Sequence, residues 1–85
     1  MKNTTYINNK FIDHNKAKIS VDDRGFLFAD SVYELINVSN KRVIDLDQHL
    51  NRLKVSLRKV KIKYKLNKKK YEEIIKKLIK LNKIF

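Results

Sequence analysis

The residues best equipped for chemistry are Arg52, Tyr33 and His49, together with the adjacent pair Asp23 and Arg24. A guanidinium is a planar fork of N–H donors that never deprotonates and matches phosphate oxygens two at a time. A phenolic O–H donates to a carboxylate while its ring packs on a neighbour. Each residue also has a plain structural reading. Arg52 reads equally as a solvated helix-face arginine, because arginines are mostly exposed. Tyr33 reads equally as a half-buried strand aromatic. His49 stands without a partner motif and is expected to order a strand-to-helix corner rather than to react. Asp23 and Arg24 are expected to fix a turn through local hydrogen bonds. No catalytic residue is assigned, and no metal site is expected.

These side chains need elements to position them. Thr4-Thr5-Tyr6-Ile7 and Phe11-Ile12 flank Asn8-Asn9-Lys10, the start of strands and turns expected over about residues 4–46. Two β-prone runs around paired Asn predict a hairpin, since Asn tolerates positive φ. Residues 17–21 alternate weakly and are read as extended. Asp22-Asp23-Arg24-Gly25 is read as a turn, with Gly25, the chain's one glycine, taking any positive φ. Residues 31–39 read as a strand. Val32, Glu34, Ile36 and Val38 lie on one face and fit a core. Tyr33, Leu35, Asn37 and Ser39 lie on the other and fit a cavity wall. Asn40-Lys41 turns the chain into a returning strand over residues 42–46.

Asp47 is the predicted N-cap of a helix over about residues 48–60, with Leu50, Leu53, Leu57 and Val60 at helical spacing. Asn67 is the predicted cap of a second helix over about 68–82. Its apolar stripe is Tyr71, Ile74, Ile75, Leu78 and Ile79, its polar side Lys76, Lys77 and Lys80, and Asn82 its end.

Size and charge bound the function. The chain has 85 residues, which make one small domain of marginal stability. It has no Cys, hence no disulfide framework and no thiolate metal site, which fits a reducing, cytoplasmic setting. No apolar run is long enough to span a bilayer, and Met1-Lys2-Asn3-Thr4-Thr5 lacks the apolar core of a signal peptide. Of the net charge of +12, residues 1–52 contribute +1 and residues 53–85 contribute +11. A field of that kind attracts polyanions without sequence preference.

Three groups of residues, in order and at their spacings, resemble one family. They are Tyr6-Ile7-Asn8-Asn9-Lys10-Phe11; Asp23-Arg24-Gly25 followed by Phe28, Asp30, Val32 and Glu34; and His49-Leu50 with Arg52-Leu53. The chain resembles the N-terminal part of fold-type IV (class IV) pyridoxal 5'-phosphate (PLP) aminotransferases over about residues 6–82. Val32-Tyr33-Glu34 looks closest to the D-amino-acid (D-alanine) aminotransferases. Branched-chain aminotransferases and aminodeoxychorismate lyase are the alternative relatives. The resemblance implies that Arg52 holds the PLP phosphate, and that Tyr33 lies near the substrate carboxylate with Leu35 shaping the pocket beside it. Asn37 could line the same face. The sequence departs from the family at Ala29, Ser31 and Lys41, where glycine is usual. A non-glycine residue at positive φ costs about 1–2 kcal/mol.

The family's Schiff-base lysine lies beyond the length matched here, so none of the lysines present is assigned that role. The expected fold is α+β, antiparallel strands followed by two helices on one face, as a truncated N-terminal domain of the class IV aminotransferase fold occupying residues 1–85. The expected function is a fragment of a PLP-dependent D-amino-acid aminotransferase-like enzyme, inactive and without PLP when alone, or one half of a split enzyme. Its expected partners are the missing C-terminal half or a second copy, with amino acid and 2-oxo acid substrates in the complete enzyme and no membrane. The opposing readings are a basic, non-specific nucleic-acid-binding module and an interaction protein that reuses the fold. Against the first of these, the lysines lie mainly opposite apolar stripes, as on any solvated helix.

Overall fold

In a computed structural model, which describes residues 3–84, a hairpin, a short helix and a smaller hairpin precede two fourteen-residue helices. Met1 and Lys2 of the amino-terminal pentapeptide lie outside the described residues. Strands β1 (Thr4–Ile7) and β2 (Lys10–Asp13) pair antiparallel, with Tyr6 opposite Phe11 and Ile7 opposite Lys10. Asn8 and Asn9 adopt φ of 50° and 66°, the doubly positive turn that suits the right-handed twist of a two-residue hairpin. The Tyr6 and Phe11 rings meet edge to face with centroids 4.8 Å apart. A single 3₁₀ turn, His14–Lys16, follows. Residues 17–21 form no regular element.

The Asp22–Gly25 segment is not a free turn. Asp23 caps helix α1 (Arg24–Phe28), its Oδ1 accepting from the Gly25 and Phe26 amides at 2.8 and 3.3 Å. Arg24 Nε donates to Asp30 Oδ2 at 2.6 Å, so this pair and the cap fix the segment locally. No residue of 22–25 takes positive φ, so Gly25 is not called on for one: it is helical, and the left-handed residue that follows is Ala29 at φ 57°. Gly25 is needed for space instead, since a Cβ there would lie 2.9 Å from Asp23 Oδ1 and push the cap aside. Of the other positions where a glycine was expected, Lys41 takes positive φ and Ser31 does not.

The strand predicted over residues 31–39 is mostly a different object. Only Val38–Ser39 (β3) pairs, with Arg42–Val43 (β4), across a left-handed Asn40-Lys41 turn, so the returning strand is shorter than 42–46 as well. Residues 31–37 nevertheless keep the period-two pattern. Val32, Glu34 and Ile36 are half-buried, and Tyr33, Leu35 and Asn37 are exposed. Side-chain packing alone sets that alternation, whereas a ladder also requires a strand alongside, and the described residues provide none before β3.

Helix α2 (Leu46–Lys59) starts two residues before the predicted boundary, because Asp45, with φ 55°, occupies the N-cap and Asp47 sits inside the first turn. There its charge complements the helix dipole. Val60 is the C-cap and is exposed rather than part of the stripe. Helix α3 (Lys68–Leu81) is capped by Asn67, whose Oδ1 accepts from the Lys70 amide at 3.1 Å, and ends at Asn82. Leu50, Leu57 and Leu66 form the core, with Val32, Leu46, Leu53, Ile62 and Tyr71 packed around it. Asn82 also ties the chain's two ends together. Its Oδ1 accepts from the Thr4 amide at 2.7 Å, and its Nδ2 donates to the Thr4 and Leu78 carbonyls at 3.0 Å. The fold is therefore α+β, two antiparallel strand pairs with helices, and α3 packs on both β1 and α2.

Candidate functional site

Extended residues 32–36 lie beside α2, and Glu34 is where they join chemically. Its side chain is only 10% exposed. Glu34 Oε1 accepts from His49 Nδ1 at 2.6 Å and from Arg52 Nη2. An ionised carboxylate only accepts, so His49 carries its proton on Nδ1 and leaves Nε2 for another contact. The hydrogen bond from His49, then that from Arg52, holds the Glu34 carboxyl below its ordinary range. His49 and Arg52 stand three residues apart, on one face of α2. The acid therefore clamps the segment bearing Tyr33 and Leu35 to the helix bearing Arg52.

Arg52 remains 69% exposed despite that tether. It uses one N–H on Glu34 among the contacts described, out of the five a guanidinium carries. The remaining donors suit an anion held at the surface. Arg52 lies six positions beyond the first residue of α2, about 9 Å along the axis, so the helix N-terminus is not part of the same anion site. Tyr33 and Leu35 share the opposite, exposed side of the segment, at 87% and 78% exposure. Tyr33 borders an apolar groove of about 450 Å³ that runs between the segment, α2 and α3, past Leu53, Tyr71 and Ile74. Leu35 lies outside that groove. Asn37 is exposed on the same face. At the groove's far side Tyr71 donates to the Tyr64 hydroxyl at 3.0 Å, and burial with that bond pushes the Tyr71 phenol up to about 12.

Two sequence-predicted residues, Tyr33 and Leu35, thus stand together, and Arg52 stands behind them on the other side of the backbone. Glu34 is the residue that sequence reasoning underrated. It was grouped with the core face, although a carboxylate on an otherwise apolar face needs a cationic partner. The spacing of His49 and Arg52 on one helix face was the signal that could have found it.

The five residues of this arrangement, Tyr33, Glu34, Leu35, His49 and Arg52, fall within residues 31–85, which match the family described as amino-transferase class IV. The chain belongs to the class IV aminotransferase family. Full-length relatives are similar beyond that stretch. A D-alanine aminotransferase of Staphylococcus haemolyticus is 30% identical over 79 residues, 93% of this chain and 28% of the relative. One from Listeria monocytogenes strain 10403S is 30% identical over 78 residues, 92% of this chain and 27% of the relative. One from Staphylococcus aureus strain N315 is 29% identical over 79 residues, 93% of this chain and 28% of the relative. The chain spans under a third of the length of these curated relatives. Among the described residues no group of His, Cys, Asp and Glu could hold a metal ion, and no helix is long and apolar enough to cross a membrane.

Proposed function

We propose that these residues form one wall of a PLP-dependent, D-amino-acid aminotransferase-like site. In it Arg52 holds the cofactor phosphate, and Tyr33 and Leu35 face the substrate. The observation that carries this reading is Arg52 itself: exposed, tethered by Glu34 through one N–H, and inside the family-matched stretch. Its free donors fit a phosphate dianion, and its charge does not titrate away. When bound, PLP supplies the electron sink for bond breaking at the substrate Cα. The chain's own contribution is to bind and orient. Glu34 fixes the guanidinium, His49 fixes Glu34, and the alternating backbone sets Tyr33 on the other side of the same segment.

A lysine for the cofactor's aldehyde is not assigned among these residues. Transamination between an amino acid and a 2-oxo acid therefore requires the portion that the relatives carry beyond the match. Exposed Phe26, Phe28 and Leu35 supply apolar surface that this portion, or a second copy, would cover.

The test supplies that portion in trans from the Staphylococcus haemolyticus relative. PLP binding and D-alanine transamination are then measured for wild type and Arg52→Ala. The variant is expected to bind PLP at least tenfold more weakly, and wild type alone to show no transamination. Equal PLP affinity in the two complemented proteins rejects the role of Arg52.

A further inference from the structure

Away from that site, the molecule carries a strong charge asymmetry. Between Asp47 and Glu72 the sequence contains no acidic residue, and beyond Arg52 residues 53–70 include nine Lys and Arg. Part of this charge is gathered into a groove of about 410 Å³ where α2 passes into the connector to α3. Lys54 and Arg58, one turn apart, line one side. Lys63, Tyr64 and Lys65 line the other. Ile62 and Leu66 anchor the connector to the core, so its lysines are held at the rim.

Four cations around one depression repel one another, and the Lys54–Arg58 pair at i,i+4 is itself unfavourable. Among the described residues no carboxylate pairs with any of the four. Such a cluster is complementary to an external row of negative charges. Tyr64 adds a second element. The residue is 51% exposed and borders the larger groove as well, and its hydroxyl accepts from Tyr71 at 3.0 Å, so it is a pre-positioned aromatic among cations. An aromatic face flanked by cations stacks an unpaired base while the cations follow the backbone. A duplex keeps its base faces covered, and a lipid surface offers no ring to stack.

We propose that this groove binds single-stranded nucleic acid without sequence preference, with Lys54, Arg58, Lys63 and Lys65 on the phosphates and Tyr64 under a base. The test is fluorescence anisotropy of the 85-residue chain with a labelled oligothymidylate of about 12 nucleotides, from about 50 to about 300 mM salt. The quadruple variant K54Q/R58Q/K63Q/K65Q is expected to lose at least tenfold in affinity. The slope of log affinity against log salt should fall by about 2–3, at roughly 0.7 per single-strand phosphate released. Removing equal charge elsewhere, in K16Q/K18Q/K80Q/K83Q, should cost less than about threefold. Tyr64→Leu should cost about fivefold or more with the salt slope unchanged. Circular dichroism of each variant should match wild type. Equal losses in the two quadruple variants, or no loss for Tyr64→Leu, overturn the proposal. So does tighter binding to a duplex of the same length or to phosphatidylserine vesicles.

Discussion

Residues 3–45 and residues 46–84 solve the folding problem differently. Every buried hydrophobic side chain among the described residues, Leu50, Leu57, Leu66 and Ile79, belongs to the second region. The first region holds two short hairpins and a five-residue helix, and it exposes Ile19, Val21, Phe26, Leu27, Phe28, Tyr33 and Leu35. A fourteen-residue helix presents a continuous apolar stripe to a neighbour. A two-residue strand pair cannot. The second region therefore supplies the stability, and the first supplies an extended wall that leans on it through Val32, Glu34 and the Thr4–Asn82 clasp.

That division is sharpest in the core. Leu50 is 2% exposed and Leu35 is 78% exposed. Leu50→Ala is expected to cost about 2–5 kcal/mol, from lost transfer free energy plus the cavity left behind. Leu35→Ala should stay within about 0.5 kcal/mol. Urea unfolding followed by circular dichroism measures both. Similar costs at the two sites would show that the exposed wall is covered by a partner in solution.

The next effect lies at the seam. Asn82→Ala removes the acceptor of the Thr4 amide and the donor to the Thr4 carbonyl, both part-buried. The expected cost is about 1–3 kcal/mol, the penalty for leaving such groups unsatisfied. Hydrogen exchange should show protection lost in β1 and β2 before α2. Uniform loss would mean that the two regions unfold as one unit.

Much of the helical region was legible in the sequence. Its periodic apolar stripe, the Asn67 cap and the Asn82 end are local features with local causes. The first hairpin was legible for the same reason, since Asn8-Asn9 states its own turn. The segment over residues 31–39 was half legible. Its alternation records which side packs inward, but its hydrogen-bond ladder depends on a neighbouring strand that no residue in the segment encodes. Asp45 and Asp47 are both plausible caps by type, and the helix begins after the first, which is left-handed and makes no side-chain cap hydrogen bond, so residue type alone could not choose between them. At the site, residue type alone left Arg52 and Tyr33 open to plain structural readings, and the roles proposed for them rest on the family resemblance. The Glu34 link between their elements was not legible, because it joins residues 18 positions apart.

Acid tests that link more gently. The folded-state Glu34 carboxyl lies below its ordinary value, so its contribution is present above the unfolded pKa and is lost as pH falls through the folded one. Wild type should therefore lose more thermal stability between neutral pH and about pH 3 than Glu34→Gln, which has no carboxylate to protonate. Melting temperatures at several pH values decide it. Parallel curves would show that the Glu34–His49–Arg52 contact contributes nothing to holding the wall on the helix.

The smallest effect compares one backbone conformation in the two regions. α2 ends with the Lys61 amide donating to the Arg58 carbonyl at 3.1 Å and the Ile62 amide to the Leu57 carbonyl at 2.9 Å. That is the helix-ending loop whose left-handed residue is usually glycine, and here it is Lys61 at φ 59°. Ala29, at φ 57°, follows α1 in the same conformation. Glycine relieves about 1–2 kcal/mol of left-handed strain, and its greater freedom in the unfolded chain takes part of that back. Lys61→Gly should therefore raise global stability by roughly 0.5 kcal/mol, since the loop closes onto Leu57 and Ile62 in the core. Ala29→Gly relieves the same strain in a segment with no buried residue. If the wall opens independently of the helices, that gain appears only as slower local exchange around residues 24–30, with the global midpoint unmoved. Equal shifts of the global midpoint for both variants would show that the exposed region, despite its sparse packing, belongs to the same cooperative unit as the helical core.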